Sequence, residues 1–531
     1  MKKNTVYFLF SFISTLFLAA CSSHNHADKM IFRYNECANI NTLDPAFARD
    51  QRTIWPCRQL YNGLIQLDTA LEVQPCIAKR WSISPDGLDY TFILRDDVYF
   101  HKNALFGTAD STRRVVASDF QYSFNRITDD DVVSPGAWIF ADVESTKAVD
   151  DTTFVIHLKE PFSPFLSMLG MAYCSVVPRE VVEHYGKDFR NHPCGTGPFQ
   201  FQYWKEGVKL VLRKNPLYFE RDDEGSPLPY LDAVAVTFIV DRQTVFLEFI
   251  KGNLDFMNSL DASYKDEILT LDGQLKDKYA DRIDMVSTPF LNTEYLGFNM
   301  EDNGILRDQR LRQAINLGFD RRKMMRYLRN NVGAPGTGGF IPKGLPGYSD
   351  CGYEYDPLRA KQLLADVKKE HGPLPSLKLS TTSNYLDLCK YIQQQLGLLG
   401  LTIEVDVNPP AALSEHVAQG KCEWFRKSWV ADYPDAENYL SLFYGSNRTP
   451  AGPNYTRFKN PRIDKIYKKM RSENNPERRV ELYREMDSLV MQEAPVMVLY
   501  YDQILHFTHK NVHGLQSNAM NNLDLRFVKI L

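Results

Sequence analysis

The segment Tyr385–Val407, YLDLCKYIQQQLGLLGLTIEVDV, decides the fold class because its hydrophobic period changes part-way along it. Over Tyr385–Leu399 the apolar residues recur at helical spacing, and Gly400 predicts the end of that helix. Over Leu401–Val407 apolar and polar residues alternate, which is typical of a half-buried strand. A helix followed at once by a strand is the repeating unit of an α/β fold.

The alternation of strands and helices continues along the rest of the chain. Strands are predicted at Asp89–Leu94, Thr153–Leu158, Lys209–Arg213, Ala233–Val240 and Val496–Tyr501. Helices are predicted over Asp119–Ile127 and from the helix-start pairs Asp356-Pro357, Asn460-Pro461 and Asn475-Pro476. The 531 residues are enough for two or three domains, so the sequence predicts an α/β protein with a large core.

Charge and composition exclude one class of partner. The 62 basic residues nearly balance the 66 acidic residues, and no run of Lys or Arg is present. Because proteins that bind nucleic acids carry a basic patch, nucleic acid is not expected as a partner. The hydrophobic fraction of 44% and the charged fraction of 24% are ordinary for a soluble globular protein.

The N-terminus is predicted to be an export signal. Lys2 and Lys3 precede the apolar run Val6–Ala20, which is too short to span a bilayer comfortably. Small residues before Cys21 indicate a bacterial lipoprotein signal peptide over residues 1–20, with Cys21 lipidated and residues 21–29 forming a flexible tether. The alternative is a plain secretory signal with an incidental cysteine. Since no later apolar run could cross a membrane, a lipid anchor is the expected attachment.

Motifs for catalysis and for cofactor binding are absent from the sequence. None of the patterns GxGxxG, GxxxxGK[ST], GxSxG and HExxH occurs. The eight cysteines after Cys21 show no CxxC spacing, so neither a zinc site nor a redox site is indicated. Export would permit disulfides, but the sequence predicts no particular pairing, and small buried thiols are an equally open interpretation. No enzyme, no cofactor and no metal site is predicted.

The segment Ser428–Phe443, SWVADYPDAENYLSLF, ends an apolar run on the carboxylate of Asp432. An acid before a proline-containing turn commonly caps that turn or pairs with an arginine, and the bare residues favour this interpretation. Asp435 and Glu437 are predicted to form a turn and a solvated face. Trp429 by itself would more often belong to a core than to a binding site.

Short motifs run in a fixed order from about residue 40 to about residue 500. They are NTLDP at 41–45, LYNGL at 60–64, IAKRW at 77–81, SPDG at 84–87, YTF at 90–92, LRDDVYFH at 94–101, ASDF at 117–120, SFNR at 123–126, GTGPF at 195–199, NPLY at 215–218, Asn299, RLRQAIN at 310–316, FDR at 319–321 and WVADYPD at 429–435. In this order they resemble the oligopeptide- and dipeptide-binding proteins, which are the peptide-type solute-binding proteins of ABC importers. The chain departs from the pattern at Asn103, in an insertion over 105–116, and at Ala436.

This resemblance implies a two-lobed periplasmic-binding-protein fold with an extra subdomain inserted in lobe I. Lobe I is expected to comprise residues 30–66, 196–288 and 500–531, the inserted subdomain residues 67–195, and lobe II residues 289–499. The implied function is capture of oligopeptides or dipeptides between the lobes by hinge closure. A monomer anchored by lipid in the cell envelope, on its periplasmic or extracellular face, would then present the peptide to permease and ATPase subunits in the membrane.

In peptide-binding members of this family, the acid of a Trp-x-x-Asp motif pairs with the α-ammonium group of the ligand. The matching residues here are Trp429 and Asp432. A carboxylate is a suitable partner for an ammonium group that is closed into a cleft, because the hydrogen bond is charge-assisted. Trp429 and Tyr433 are expected to wall the site. The group that receives the carboxylate of the ligand stays open among many Arg, Lys and His residues.

Three other functions remain open from the sequence. The same fold can bind a non-peptide ligand such as a nickel chelate, haem or an oligosaccharide, because fold does not decide ligand. A surface enzyme such as a peptidase is disfavoured by the missing nucleophile and zinc motifs. A chaperone or scaffold would bind long denatured chains in preference to short peptides.

Overall fold

The computed structural model describes residues 29–260, 264–301 and 304–531. The predicted signal peptide, Cys21 and nearly all of the predicted tether lie outside the described residues. The strands are β1 Ile31–Asn35, β2 Ile65–Leu67, β3 Val73–Pro75, β4 Ala78–Ile83, β5 Asp89–Leu94, β6 Val143–Ala148, β7 Thr153–Leu158, β8 Phe199–Lys205, β9 Lys209–Lys214, β10 Ala233–Thr237, β11 Phe256–Asn258, β12 Ile283–Phe298, β13 Ala334–Pro335, β14 Leu377–Thr381, β15 Ile403–Val407, β16 Trp424–Val430, β17 Val496–His509, β18 Val512–His513 and β19 Lys529–Ile530.

Helices alternate with these strands through most of the chain. They are Gln51–Leu60, Ala117–Ile127, Phe165–Met168, Arg179–Tyr185, Arg242–Ile250, Lys265–Ile268, Asp277–Ala280, Gln309–Leu317, Arg321–Arg329, Pro357–His371, Leu386–Gly397, Pro410–Ala418, Glu437–Leu440, Pro461–Arg471 and Pro476–Glu493. The predicted helix starts are confirmed. The side chains of Asp356, Asn460 and Asn475 each accept a hydrogen bond from a backbone N–H in the first turn.

One 11-stranded sheet runs through the molecule in the order β15-β14-β16-β12-β17-β11-β1-β10-β9-β8, with β13 added on β17. Its centre is the antiparallel pair of β12 and β17, which have 16 and 14 residues. The pairing of Ile283–Pro289 with Gln503–His509 is separated by a register shift from the pairing of Thr293–Gly297 with Val496–Tyr501. The two long strands therefore belong to both halves of the protein. The register shift between their two paired regions marks the junction of the halves.

The parallel strands of both halves direct their carboxyl ends towards this junction. In the first half β1 runs parallel to β10 and β11, and Asn258 at the end of β11 lies opposite His506 of β17. In the second half β14 runs parallel to β15 and β16, and Val430 at the end of β16 lies opposite Asn292 of β12. Ligands of open α/β sheets bind beyond the carboxyl ends of the strands, so the junction is the expected place for a site.

The first half also carries a separate antiparallel sheet in the order β4-β5-β7-β6. Buried residues alternate with half-buried residues along β5 and β7, as the predicted strand period requires. The buried face packs with the helix Ala117–Ile127 through Phe92, Phe120 and Phe154. The central sheet of the second half has apolar cores on both faces, one containing Trp424 and the other containing Tyr295. The fold is thus the two-lobed α/β arrangement that the sequence predicted.

The cysteines are thiols in this fold. None of the eight described cysteines is joined in a disulfide. Six of them are buried, namely Cys57, Cys76, Cys174, Cys194, Cys389 and Cys422. Within residues 29–260, 264–301 and 304–531, no helix has both the length and the apolar character needed to cross a bilayer.

The turn after Cys194 requires glycine, because it packs directly on the end of the helix Gln51–Leu60. The N–H of Gly197 donates to the carbonyl oxygen of Leu60 at 2.9 Å. A Cβ atom on Gly197 would lie 2.5 Å from the carbonyl oxygen of Gln59. Backbone atoms at that distance cannot move aside without distorting the helix.

Gly197→Ala should lower the free energy of unfolding by about 2 kcal/mol or more, because the new methyl group overlaps backbone atoms of the helix. Chemical denaturation of the purified protein measures this loss. Gly397→Ala is the matched control, because Gly397 ends a helix and has no atom within 4 Å of a built Cβ. Equal stability of the two variants would contradict the packing described here.

Candidate ligand-binding cleft

Asp432 follows the carboxyl end of β16 at the junction of the two halves. No Lys, Arg or His side chain of the described chain lies within ion-pair distance of its carboxylate. The amide of Asn438 holds this segment, since its Oδ1 accepts from the N–H of Asp432 at 3.2 Å and from Nε1 of Trp429 at 2.9 Å. Its Nδ2 donates to Oδ2 of Asp432 at 3.4 Å. Asn438 is therefore a positioning residue for the Trp-x-x-Asp motif, and the sequence offered no signal beyond a polar residue in an apolar run.

Asp432 is exposed to solvent, yet desolvation by the surrounding protein raises its pKa. Exposure to water and a raised pKa are found together when protein surrounds a carboxylate on several sides and leaves one side open. A cleft provides this environment. Burial raises the pKa values of Tyr173, Tyr439 and Tyr455, and the charge of Asp432 raises each of them further. Tyr173 belongs to the first half of the chain, so the carboxylate lies between the two halves.

Arg49, in the first half of the chain, acts electrostatically on the same tyrosine as Asp432. Burial and the charge of Asp432 raise the pKa of Tyr173, and the positive charge of Arg49 opposes that change. Tyr173 is thus within electrostatic reach of both charges. The side chain of Arg49 is exposed, and the described residues place no carboxylate within ion-pair distance of it. Sequence reasoning did not single out this arginine, because nothing in its local pattern distinguishes it from others.

Tyr433 and Trp429 lie in different surroundings. Tyr433 is 5% exposed and belongs to the apolar core of the first half. Its ring centroid is 6.2 Å from that of Trp138, and its hydroxyl donates to Glu437. Trp429 is half-buried against the core of the second half. Tyr433 therefore forms a contact between the halves, and a role of either ring as a wall of the ligand site stays a prediction.

The prediction that Glu437 lies on a solvated face is wrong. Glu437 is 3% exposed and accepts hydrogen bonds from the hydroxyls of Tyr433 and Tyr467. Burial raises its pKa. The short helix Glu437–Leu440 directs the glutamate inward, and the two hydroxyls stabilise it there. Asp435 does form a turn, because it accepts from the N–H of Glu437 at 2.8 Å, and it also accepts from the Tyr483 hydroxyl at 2.6 Å.

A second contact joins the halves at the edge of the cleft. Arg471, which ends the helix Pro461–Arg471, forms an ion pair with Asp142 at 2.5 Å. The guanidinium carbon also lies 4.5 Å from the centroid of the Phe162 ring. Next to this pair the N–H of Ser163 donates to the carbonyl oxygen of Arg471 at 3.3 Å. These contacts hold the four-stranded sheet region against the second half.

Two pockets in the first half do not contain the Trp-x-x-Asp motif. One, of about 560 Å³, is lined by residues that include Arg58, Glu220 and Arg526. The other, of about 1110 Å³, lies between the helices Ala117–Ile127 and Arg179–Tyr185. The region around Asp432 is an open cleft, so its importance rests on charge and position and not on enclosed volume.

Residues 72–451 match the family of bacterial extracellular solute-binding proteins, family 5. The chain belongs to this family. This family 5 protein is 26% identical over 484 residues to the glutathione-binding protein GsiB of Salmonella paratyphi A, and the match covers 90% of each chain. Solute-binding proteins of this family serve ABC importers outside the cytoplasm, and the relatives are binding proteins.

Solved structures share the fold of the family 5 protein. It superposes on HbpA2 from Haemophilus parasuis with a TM-score of 0.81 at 22% identity, covering 94% of this chain and 100% of that chain. It superposes on the periplasmic binding protein DppA from Helicobacter pylori in complex with the peptide STSA, with a TM-score of 0.75 at 23% identity, covering 93% and 98% of the two chains. These matches establish the two-lobed fold.

Arg471→Ala should weaken ligand binding by about threefold to tenfold, because it removes an exposed ion pair and a cation–π contact that join the halves. The radius of gyration from X-ray scattering should increase in the ligand-free protein. Arg462→Ala is the control, since Arg462 is on the same helix and pairs with Glu485 within the second half. A change of equal size in both variants would show that the contact between the halves is not responsible.

Proposed function

We propose that this family 5 protein captures short peptides between its lobes and delivers them to a permease. The observation that carries the proposal is the Asp432 carboxylate, which ends β16 at the cleft with no cationic partner within ion-pair distance in the described chain. A carboxylate in partly desolvated surroundings is costly unless a cation reaches it. The α-ammonium group of a peptide is such a cation, and its hydrogen bond to Asp432 would be charge-assisted.

Two further features support a zwitterionic ligand. Asn438 bonds to both Trp429 and Asp432, so the carboxylate is held before a ligand arrives and less order has to be gained on binding. Arg49 has no ion-pair partner among the described residues and acts electrostatically on Tyr173, so a carboxylate of the ligand could bind to its guanidinium in a bidentate manner. The names of two relatives, one for glutathione and one with a bound peptide, agree with a peptide as the ligand.

Closure would occur about the long strands β12 and β17. The register shift after Pro289 supplies an irregular step between the two paired regions of these strands, and a second shift follows between Glu294 and Tyr295. We place lobe II between that step and about residue 499, and lobe I on the other side, with residues 67–195 as its inserted subdomain. A peptide bound between Asp432 and Arg49 would stabilise the closed form, because its contacts to both lobes exist together in that form alone.

Asp432→Ala should weaken peptide binding by about 3–5 kcal/mol, or roughly two to four decades, because the α-ammonium group is left without its partner. Isothermal titration with a defined peptide and with its N-acetylated form measures this. Acetylation removes the ammonium group, so it should weaken binding to the unaltered protein strongly and to the Ala variant little. Glu404→Gln is the control, because Glu404 is an exposed acid on β15 of the same half.

A loss of less than tenfold in a folded Asp432→Ala variant would refute the ammonium assignment. If no peptide bound to the unaltered protein, the ligand would have to be of another class, and native mass spectrometry of the protein as purified from cells would reveal its mass. The fold and family membership would stand in either case.

We also propose that the mature chain is anchored by lipid on Cys21, outside the cytoplasm. Cys21→Ser should move the protein from the membrane fraction to the soluble fraction of the cell envelope and abolish labelling by a fatty-acid analogue, because the thiol that carries the lipid is lost. Cys351→Ser is a control that should stay labelled. Labelling that persisted in Cys21→Ser, or was missing from the unaltered protein, would contradict the anchor.

A further inference from the structure

Three neighbouring strands of lobe I each bring one polar side chain to the cleft edge of the sheet. The strands are β17, β11 and β1, which are consecutive in the sheet order. The side chains are His506 on β17, Asn258 at the end of β11, and Glu36 directly after β1. The mechanism proposed above uses none of them.

The register of the sheet places these residues side by side on one face. Asn258 lies directly opposite His506 in the β11–β17 pair. Tyr34 pairs with Phe256, so Glu36 and Asn258, each two residues further along its strand, fall beside each other on the same face. Phe256 is on the same face as Asn258, two residues before it. Its ring centroid lies 5.0 Å from that of His506, which agrees with His506 lying on that face.

Each of these side chains has a buried acceptor atom without a hydrogen-bond donor in the described chain. The atoms are Oε1 of Glu36, Oδ1 of Asn258 and Nδ1 of His506. Buried polar atoms are nearly always hydrogen-bonded in folded proteins. These three acceptors on neighbouring strands, none with a donor in the described chain, are therefore available to N–H or O–H donors from outside the protein.

The acceptor character of His506 follows from its neighbours. Nε2 lies 2.9 Å from Oδ1 of Asn521, while Nδ2 of Asn521 donates to Oε1 of Gln51 at 3.1 Å and so fixes the orientation of that amide. The proton of the imidazole is thus assigned to Nε2, which leaves Nδ1 as an acceptor. Burial lowers the pKa of His506 to about 4, so the ring is neutral at pH 7.

Glu36 has no ion-pair partner in the described chain. The nearby cation Arg52 pairs instead with Asp50 at 2.8 Å. The pKa of Glu36 is raised to about 7, mainly by burial. The charge of Arg52 lowers this pKa, and the charge of Asp50 raises it. The charge of Asp50 also raises the pKa of Tyr173, as does that of Asp432, and Asn258 at the carboxyl end of β11 places the acceptor group at the junction of the halves.

We propose that Glu36, Asn258 and His506 receive a primary ammonium group on the side chain of the peptide, such as that of lysine. An ammonium group has three N–H donors and no acceptor, which matches three acceptor atoms, one of them on a carboxylate. This inference rests on the proposed function, in which Asp432 holds the α-ammonium group. It narrows the proposed ligand class from short peptides in general to short peptides with a basic side chain.

The test compares tripeptides that carry lysine or norleucine at the first, second or third position among alanines. Norleucine keeps the aliphatic chain and lacks the ammonium group. At one position the lysine peptide should bind the unaltered protein about tenfold to a hundredfold more tightly, because its ammonium group makes charge-assisted hydrogen bonds. Glu36→Gln should abolish most of this preference and leave the affinity for the norleucine peptide unchanged.

Glu224→Gln is the matched control, because Glu224 is an exposed acid in the same lobe and its loss should not alter the preference. Asn258→Ala gives a second variant and should reduce the preference several-fold. The proposal is overturned if no position favours lysine, if the preference survives both variants, or if Glu36→Gln weakens lysine and norleucine peptides equally. Peptide binding that depends on Asp432 without a lysine preference would overturn this inference alone, whereas no tripeptide binding at all would overturn the proposed function as well.

Discussion

The antiparallel pair of β12 and β17 is the element on which the arrangement of the protein depends. Its ladder runs through both lobes, with one register shift between Pro289 and Thr293 and a second between Glu294 and Tyr295, so the two lobes are joined by strands that both of them require. The parallel strands of each lobe extend the sheet on either side of this pair. Their carboxyl ends meet near the register shift after Pro289. The proposed ligand site thus lies where the parallel strands of both halves end and not inside either core.

Several charged groups near this junction have no ion-pair partner in the part of the chain that the structure describes. By contrast, Arg329 and Asp502 form an ion pair at 2.7 Å. Asp432 and Arg49, which both act on Tyr173, have no ion-pair partner among the described residues, and neither does Glu36. Desolvation makes these groups unfavourable in the empty protein, so a ligand with complementary charges gains free energy by pairing them. The contacts of Arg471 and Tyr433 with the other lobe would favour the same closed form.

Short sequence patterns predicted the secondary structure well where the stabilising interaction lies within the same short segment. The helix starts at Asp356, Asn460 and Asn475 follow from side chains that bond to the first turn. The strand predicted at Val496–Tyr501 instead continues to His509, because its second part pairs with β11 and β12 of the other lobe. No residue within the segment could indicate a partner that lies more than 200 positions away.

The sequence by itself determined the α/β class, the family and the Trp-x-x-Asp motif, because periodicity, capping and ordered motifs are properties of short segments. Tertiary structure alone decided that Glu437 is buried, that Asn438 holds Asp432, and that Arg49 and Asp432 act on the same tyrosine. It also decided that Glu36 comes to lie beside Asn258. These relations join residues that are far apart in the chain, and their energies depend on burial and distance, which exist only once the strands have paired.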